Sequence, residues 1–192
     1  MRRLRRPHSL AALALQRRDP APSGRVRILG LDPGSQRTGY AIIDVDGLRI
    51  AYMASGAIRA TGDFLTTRLP EIFSGVEQLA QEFRPDEVAV ERVFMHRNAD
   101  SALKLGQARG AALSATFAVR PRVYEYAPRE VKLAVVGTGA AQKDQVQLMV
   151  KRLMKINGPL AEDAADALAI ALCHAHSRTL YAVASIATGA PT

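Results

Sequence analysis

The 192-residue chain is 48% hydrophobic and 23% charged, with a single cysteine and a formal net charge of +8. One domain with a substantial core fits this length and composition, whereas an internal disulfide is excluded and a reducing compartment, the cytoplasm, is indicated. No run reaches the ~18 apolar residues of a bilayer-spanning helix. The charge is unevenly placed: residues 1–24 hold six Arg against one Asp, and residues 84–155 hold 13 basic against 7 acidic residues. Such polarity suits a phosphate-facing surface beside an acidic pocket.

Residues 1–24 are Arg-rich and acid-poor, and the apolar run Leu10 to Leu15 is short for a secretory signal. They are read as a disordered basic extension or, as the lesser alternative, an organellar targeting segment, with the Pro-rich Asp19 to Gly24 as linker. The body of the domain is expected over 25–178. Its first strand is RVRILGLD, apolar and partly β-branched, closed by Asp32 and broken by Pro33-Gly34. Two more strands, Thr38 to Val45 and Leu48 to Ile58, are joined tightly through Asp46-Gly47. Leu65, Leu69, Ile72, Phe73, Val76, Leu79 and Phe83 mark an amphipathic helix in which Pro70 implies a late start or a kink.

A short buried strand, Glu87 to Val93, carries a second acid, Glu91. The next helix, 98–118, places Leu103, Gly106, Gly110, Leu113 and Phe117 on one stripe. Two glycines in a helix interior cost roughly 1 kcal/mol each relative to alanine, so a close backbone neighbour is expected there, either the sheet of the same chain or a symmetric partner. A strand from Pro121 to Ala127, a short helix from Pro128 to Val136, and helices from about Lys143 to Ile156 and from Ala161 to His176 complete the domain. Residues 179–192 are expected to form a flexible tail. The order of elements predicts an α/β fold, a five-stranded mixed sheet with helices on both faces.

Four acids interrupt apolar surroundings: Asp32 at a strand end, Glu91 inside EVAVERV, and Asp163 and Asp166 three apart on one face of the last helix. A strand-end acid is commonly a turn former, and Asp163 near a helix start is favoured by the macrodipole. Asp166 and Glu91 have no such explanation. If the last helix crosses the sheet, all four converge, and hard divalent cations with oxygen ligands, Mg²⁺ or Mn²⁺, are the natural occupants. Two cations held by shared carboxylates are suited to phosphodiester hydrolysis. On that reading Tyr126 is not needed as a nucleophile, and His174 and His176, two apart, make a poor ligand pair.

LGLDPGSQRTGYA, VERVFMHRNADSALKLGQARG, the stretch from EYAPREVKLAVVGTG to AQKDQV, and EDAADALAIALCHAH resemble the RuvC family of Holliday-junction resolvases, from about Arg25 to His176. The resemblance implies a ribonuclease-H-like fold, a homodimer acting on four-way junction DNA, Mg²⁺-dependent strand scission and association with the RuvAB branch-migration complex. By motif, Asp32, Glu91, Asp163 and Asp166 fall on the family's catalytic and metal-binding acids. Phe94 matches an aromatic that contacts unpaired bases, and Lys132 and Lys143 match basic residues linked to DNA binding and catalysis. Arg92, Arg97, Lys104, Arg109 and Arg129 are weaker phosphate-contact candidates, and Arg92 departs from a common glutamine. Against this stand a phosphotransferase of the sugar-kinase and actin type, whose second lobe 192 residues do not accommodate, a non-catalytic DNA-binding module, and a less selective nuclease of the same fold.

Overall fold

The computed structural model describes residues 24–92 and 99–188, with side chains as far as Arg178. Five strands form one sheet: β1 (Arg25–Pro33), β2 (Arg37–Asp46), β3 (Arg49–Arg59), β4 (Glu87–Glu91) and β5 (Arg122–Tyr126). Their spatial order is β3-β2-β1-β4-β5. The first three are antiparallel neighbours, while β4 runs parallel to β1 and β5 parallel to β4. The helices are α1 (Leu65–Phe83), α2 (Ala99–Thr116), α3 (Pro128–Val136), α4 (Lys143–Leu153) and α5 (Glu162–Thr188).

The centre of β1, Ile28 to Leu31, is apolar because it is covered on both faces. Val26 and Ile28 join the core beneath α3, α4 and α5, and Leu29 and Leu31 join the core beneath α1 and α2. β4 divides the same way, Ala89 to the first core and Val88 and Val90 to the second. The mixed sheet with helices on both faces is therefore as expected. The hairpin is also as expected: β2 and β3 are joined by Gly47 and Leu48, with Gly47 at φ +56°.

Two glycines let α5 lie directly on the sheet. A Cβ at Gly30 would overlap the carbonyl oxygen of Ala167, and one at Gly39 would overlap the carbonyl oxygen of Asp163. These, rather than the glycines of α2, are the close-approach positions. Among the described residues, nothing lies within 4 Å of where a Cβ at Gly106 or Gly110 would stand. Of that stripe, Leu113 packs on the chain's own core, while Leu103, Gly106, Gly110 and Phe117 are exposed and α2 turns Ala108, Ala112, Ala115 and Thr116 inward.

Three boundaries also differ. α1 starts at Leu65 and contains Pro70, so the late start is excluded. β4 ends at Glu91 rather than continuing through Arg92, and Val93 lies outside the described residues. α5 runs to Thr188, beyond the His176 end, because the Ala-rich segment that follows holds no Pro or Gly until Gly189. Among the described residues, no helix is long and apolar enough to cross a membrane.

Candidate active site

β1 and β4 lie side by side with Leu31 opposite Val90, and one step further each strand carries an acid, Asp32 next to the last residue of β1 and Glu91 at the end of β4. Side chains alternate along a strand, so Asp32 shares the face of Val26, Ile28 and Gly30, the face that α5 covers. Glu91 shares the face of Glu87 and Ala89. The N-terminal turns of α5 then bring Asp166 over the same place. Asp32, Glu91 and Asp166 line one solvent-open cleft, walled by Pro128, Val131 and Lys132 of α3, Lys143 and Val146 of α4, and Ala169 and Ile170 of α5.

The electrostatics show how unusual this convergence is. Burial, followed by the charges of Asp166, Glu91 and Asp163, pushes the Asp32 carboxyl up to about 7, and Lys143 only partly offsets this. Burial and Asp166 raise Glu91 against the opposing pull of Lys132 and Lys143. Asp166 is raised by burial although Lys143 hydrogen-bonds to it. The ammonium of Lys143 stands 3.1 Å from Asp166 Oδ2 and also pairs with Glu162, and those two acids, outweighing burial, raise its own pKa.

Asp163 sits at the rim rather than in the wall of the cleft. Its Oδ2 is 3.7 Å from a guanidinium nitrogen of Arg37. Arg37 and Glu162 are therefore two charged residues at the site that the sequence reading did not single out. Glu162 was signalled only by its adjacency to Asp163. Arg37, in the SQRTG segment, becomes a neighbour only because β2 passes under the start of α5.

The remaining candidates separate clearly. Lys132 and Lys143 are in the cleft. Arg129 is exposed beside Gly139 and Arg92 is exposed after β4, its N–H donating to the Tyr126 carbonyl. Lys104 pairs with Asp100 one turn away on α2 at 2.6 Å. Arg109 donates to the Glu91 carbonyl and pairs with Glu125, so its charge ties α2 to the ends of β4 and β5. Phe94 and Arg97 lie outside the described residues.

Among the described residues, no three Asp, Glu, His or Cys side chains are drawn together tightly enough to hold an ion as they stand. The donor chemistry nonetheless fits a hard divalent cation, since every candidate ligand is a carboxylate. Three half-buried acids with raised pKa mark negative charge that Lys132 and Lys143 only partly offset. Two of the acids have cationic partners in the structure, Lys143 beside Asp166 and Arg37 beside Asp163.

Residues 28–174 match the family model of the crossover junction endodeoxyribonuclease RuvC. The RuvC of Vibrio cholerae is 52% identical over 164 residues, covering 85% of this chain and 95% of the relative. That of Methylococcus capsulatus is 57% identical over 152 residues, covering 79% and 92%. Thermus thermophilus RuvC superposes with a TM-score of 0.73 at 34% identity, over 81% of this chain and 96% of that one. The same protein in complex with a Holliday junction substrate gives a TM-score of 0.75, also at 34% identity and the same coverage. A yeast mitochondrial Holliday junction resolvase, 13% identical with a TM-score of 0.59 over 81% and 82%, shares the fold.

Sheet order, cleft and relatives define the class, an endodeoxyribonuclease on a ribonuclease-H-like fold. More particularly, the chain belongs to the RuvC family of crossover junction endodeoxyribonucleases.

Proposed function

We propose that this protein resolves Holliday junctions by paired symmetric nicks, hydrolysing phosphodiesters with the help of divalent cations and leaving ligatable 5′-phosphate and 3′-hydroxyl ends. The observation that carries this reading is the meeting of Asp32, Glu91 and Asp166, from three distant parts of the chain, in one open cleft with Lys132 and Lys143. Asp32, Glu91 and Asp166, with Asp163 at the rim, would hold the cations, two Mg²⁺ per site with Mn²⁺ as a substitute. When bound, these supply the charge that activates an attacking water and stabilises the departing 3′-oxygen.

The chain's own groups do the rest. Lys143, a counter-ion of Asp166 within the cleft, would offer its ammonium to the scissile phosphate. Lys132, on the opposite wall, holds the same phosphate from the α3 side. Arg92 and Arg129, exposed outside the cleft lining, and Arg97 are further phosphate contacts, and Phe94 stacks on an unpaired base, a contact that contributes about 1–3 kcal/mol. Lys104 and Arg109, both engaged on α2, are given no DNA role.

A junction presents two strands to be cut at related positions, which a two-fold dimer matches with two equivalent sites. The face for it is the stripe of α2 that its own sheet leaves uncovered. Leu103 is 62% exposed, Phe117 is 58% exposed, and Gly106 and Gly110 between them face open space. Their alternating three- and four-residue spacing is that of a helix-pairing seam. RuvAB is the proposed partner and the cytoplasm the proposed location.

The test is cleavage of a synthetic mobile four-way junction with Mg²⁺, beside Glu91→Gln and with a linear duplex for comparison. Paired nicks by the parent, none by the variant, and an intact duplex are expected. Equal cutting of duplex and junction would remove the resolvase reading. Unimpaired cutting by Glu91→Gln would remove the site.

A further inference from the structure

Beneath the cleft, on the same face of the sheet, lies a second set of polar groups that the proposed reaction does not use. Glu87 and His174 are each about 1% exposed. His174 Nε2 is 2.8 Å from Glu87 Oε2, Arg178 Nε donates to the same oxygen at 2.6 Å, and Arg122 lies 3.1 Å from Oε1. On its other side His174 Nδ1 is 2.6 Å from the Tyr126 hydroxyl, and the ring of Tyr124 lies over the imidazole with centroids 4.3 Å apart.

Burial alone would lift the Glu87 pKa, but His174 and Arg178 outweigh it and hold it below the usual carboxylate range. An ionised Glu87 only accepts, so His174 Nε2 carries its hydrogen. His174 Nδ1 and the Tyr126 hydroxyl share the ring's other hydrogen bond.

We propose that Tyr126, His174 and Glu87 form a positioning network for cleavage, which sets the spacing of Glu91, Asp166 and Lys132 across the cleft from the far ends of the elements that bear them. This rests on the nuclease reading above and adds to it residues that touch neither DNA nor cation.

The geometry supports the assignment from three directions. Asp166, Ile170, His174 and Arg178 recur every fourth residue of α5 and form one stripe. Glu87 and Glu91 share one face of β4 beneath it. One end of this helix–strand pair therefore brings acid against acid, and the other brings His174 and Arg178 onto Glu87. Repulsion at the cleft end is held down by attraction at the other, ~12 Å along the helix.

Tyr126, the register partner of Glu91, is the last residue of β5 and stands two before Pro128, where the helix carrying Lys132 begins. Its hydrogen bond thus ties the α3 wall to the α5 wall. Apolar packing alone tolerates sliding and rotation of α5, whereas directional hydrogen bonds to a buried carboxylate do not.

The experiment uses Tyr126→Phe, which removes one oxygen and keeps the ring, and His174→Phe, which fills the imidazole's place and removes both ring nitrogens. Two quantities are measured: Mn²⁺ affinity without DNA, by calorimetric titration, and the Mg²⁺ concentration giving half-maximal junction cleavage. Each variant is expected to weaken both by about three- to tenfold. Junction affinity in EDTA should stay within about twofold, and the double variant should be no worse than the poorer single, as for one shared interaction.

Parental cation affinity and parental Mg²⁺ dependence in Tyr126→Phe would overturn the proposal, as would strictly additive losses. A parent that binds Mn²⁺ but leaves junctions intact would sink the nuclease reading while the Mn²⁺ titration still judged the network. A parent that binds no cation at all would overturn both.

Discussion

Lys143 and Asp166 face each other across the cleft, Nζ to Oδ2 at 3.1 Å, so the acid that faces both Asp32 and Glu91 is itself held by a cation on α4. The same lysine lowers the carboxyl pKa of Asp32 and Glu91. Its removal should leave all three acids still harder to ionise. Lys143→Ala is expected to cut about 100-fold more slowly at neutral pH, with its rise in activity displaced upward by about one pH unit. Lys143→Arg should recover part of the loss. A pH–rate profile measured at saturating Mg²⁺ decides it, and a parental profile in Lys143→Ala would count against a role for this contact.

Asp32 sets an opposition between stability and activity. Its folded-state carboxyl lies at about 7 against an ordinary 3.8, so the native state binds that proton more tightly than the unfolded chain. The sign follows: stability is lost as pH rises between those two values and stays lost above them. Asp32→Asn removes the charge and should melt about 4–8 °C above the parent at pH 8 in EDTA. That advantage should vanish near pH 4, and the variant should not cleave. Mg²⁺ should raise the parent's Tm and leave the variant's unchanged. Thermal scans across pH, with and without Mg²⁺, supply the check.

Gly39 is where β2 passes beneath the carbonyl of Asp163. A methyl group there must push the start of α5 off the sheet, and with it both aspartates. Gly39→Ala is expected to lose about 1–3 kcal/mol of stability through overpacking and to lose cleavage well beyond the unfolded fraction. Denaturant melts beside cleavage assays normalised to folded protein separate the two effects. Full activity per folded molecule would show that the spacing under α5 is not critical.

The α2 stripe yields a prediction about assembly. Gly110 faces open space, and a side chain there costs the isolated helix nothing, since glycine is itself about 1 kcal/mol worse than alanine. Gly110→Glu should therefore keep the parent's secondary structure but sediment as a monomer. Its nicks in a four-way junction should be single and unpaired. A variant that still sediments as a dimer would move the interface elsewhere.

Much of the protein was legible in the chain itself. Alternation and helical stripes marked every strand and helix, Asp46-Gly47 marked the hairpin, and four acids stood out because their apolar neighbours made their charge costly. These are local signals, since burial imprints its period on residues a few positions apart. What the tertiary structure alone decided is which neighbours each charge acquires. It put Asp32 beside Glu91 and Asp166 opposite Lys143, moved Asp163 to the rim beside Arg37, and spent Arg109 on the end of β4. It also reversed the reading of the glycines, making Gly30 and Gly39 the close-approach sites and leaving Gly106 and Gly110 exposed. The buried chain from Tyr126 through His174 to Glu87 was invisible for the same reason. Its members are 39 to 87 residues apart, and no sequence period relates groups whose contact depends on how β4, β5 and α5 are stacked.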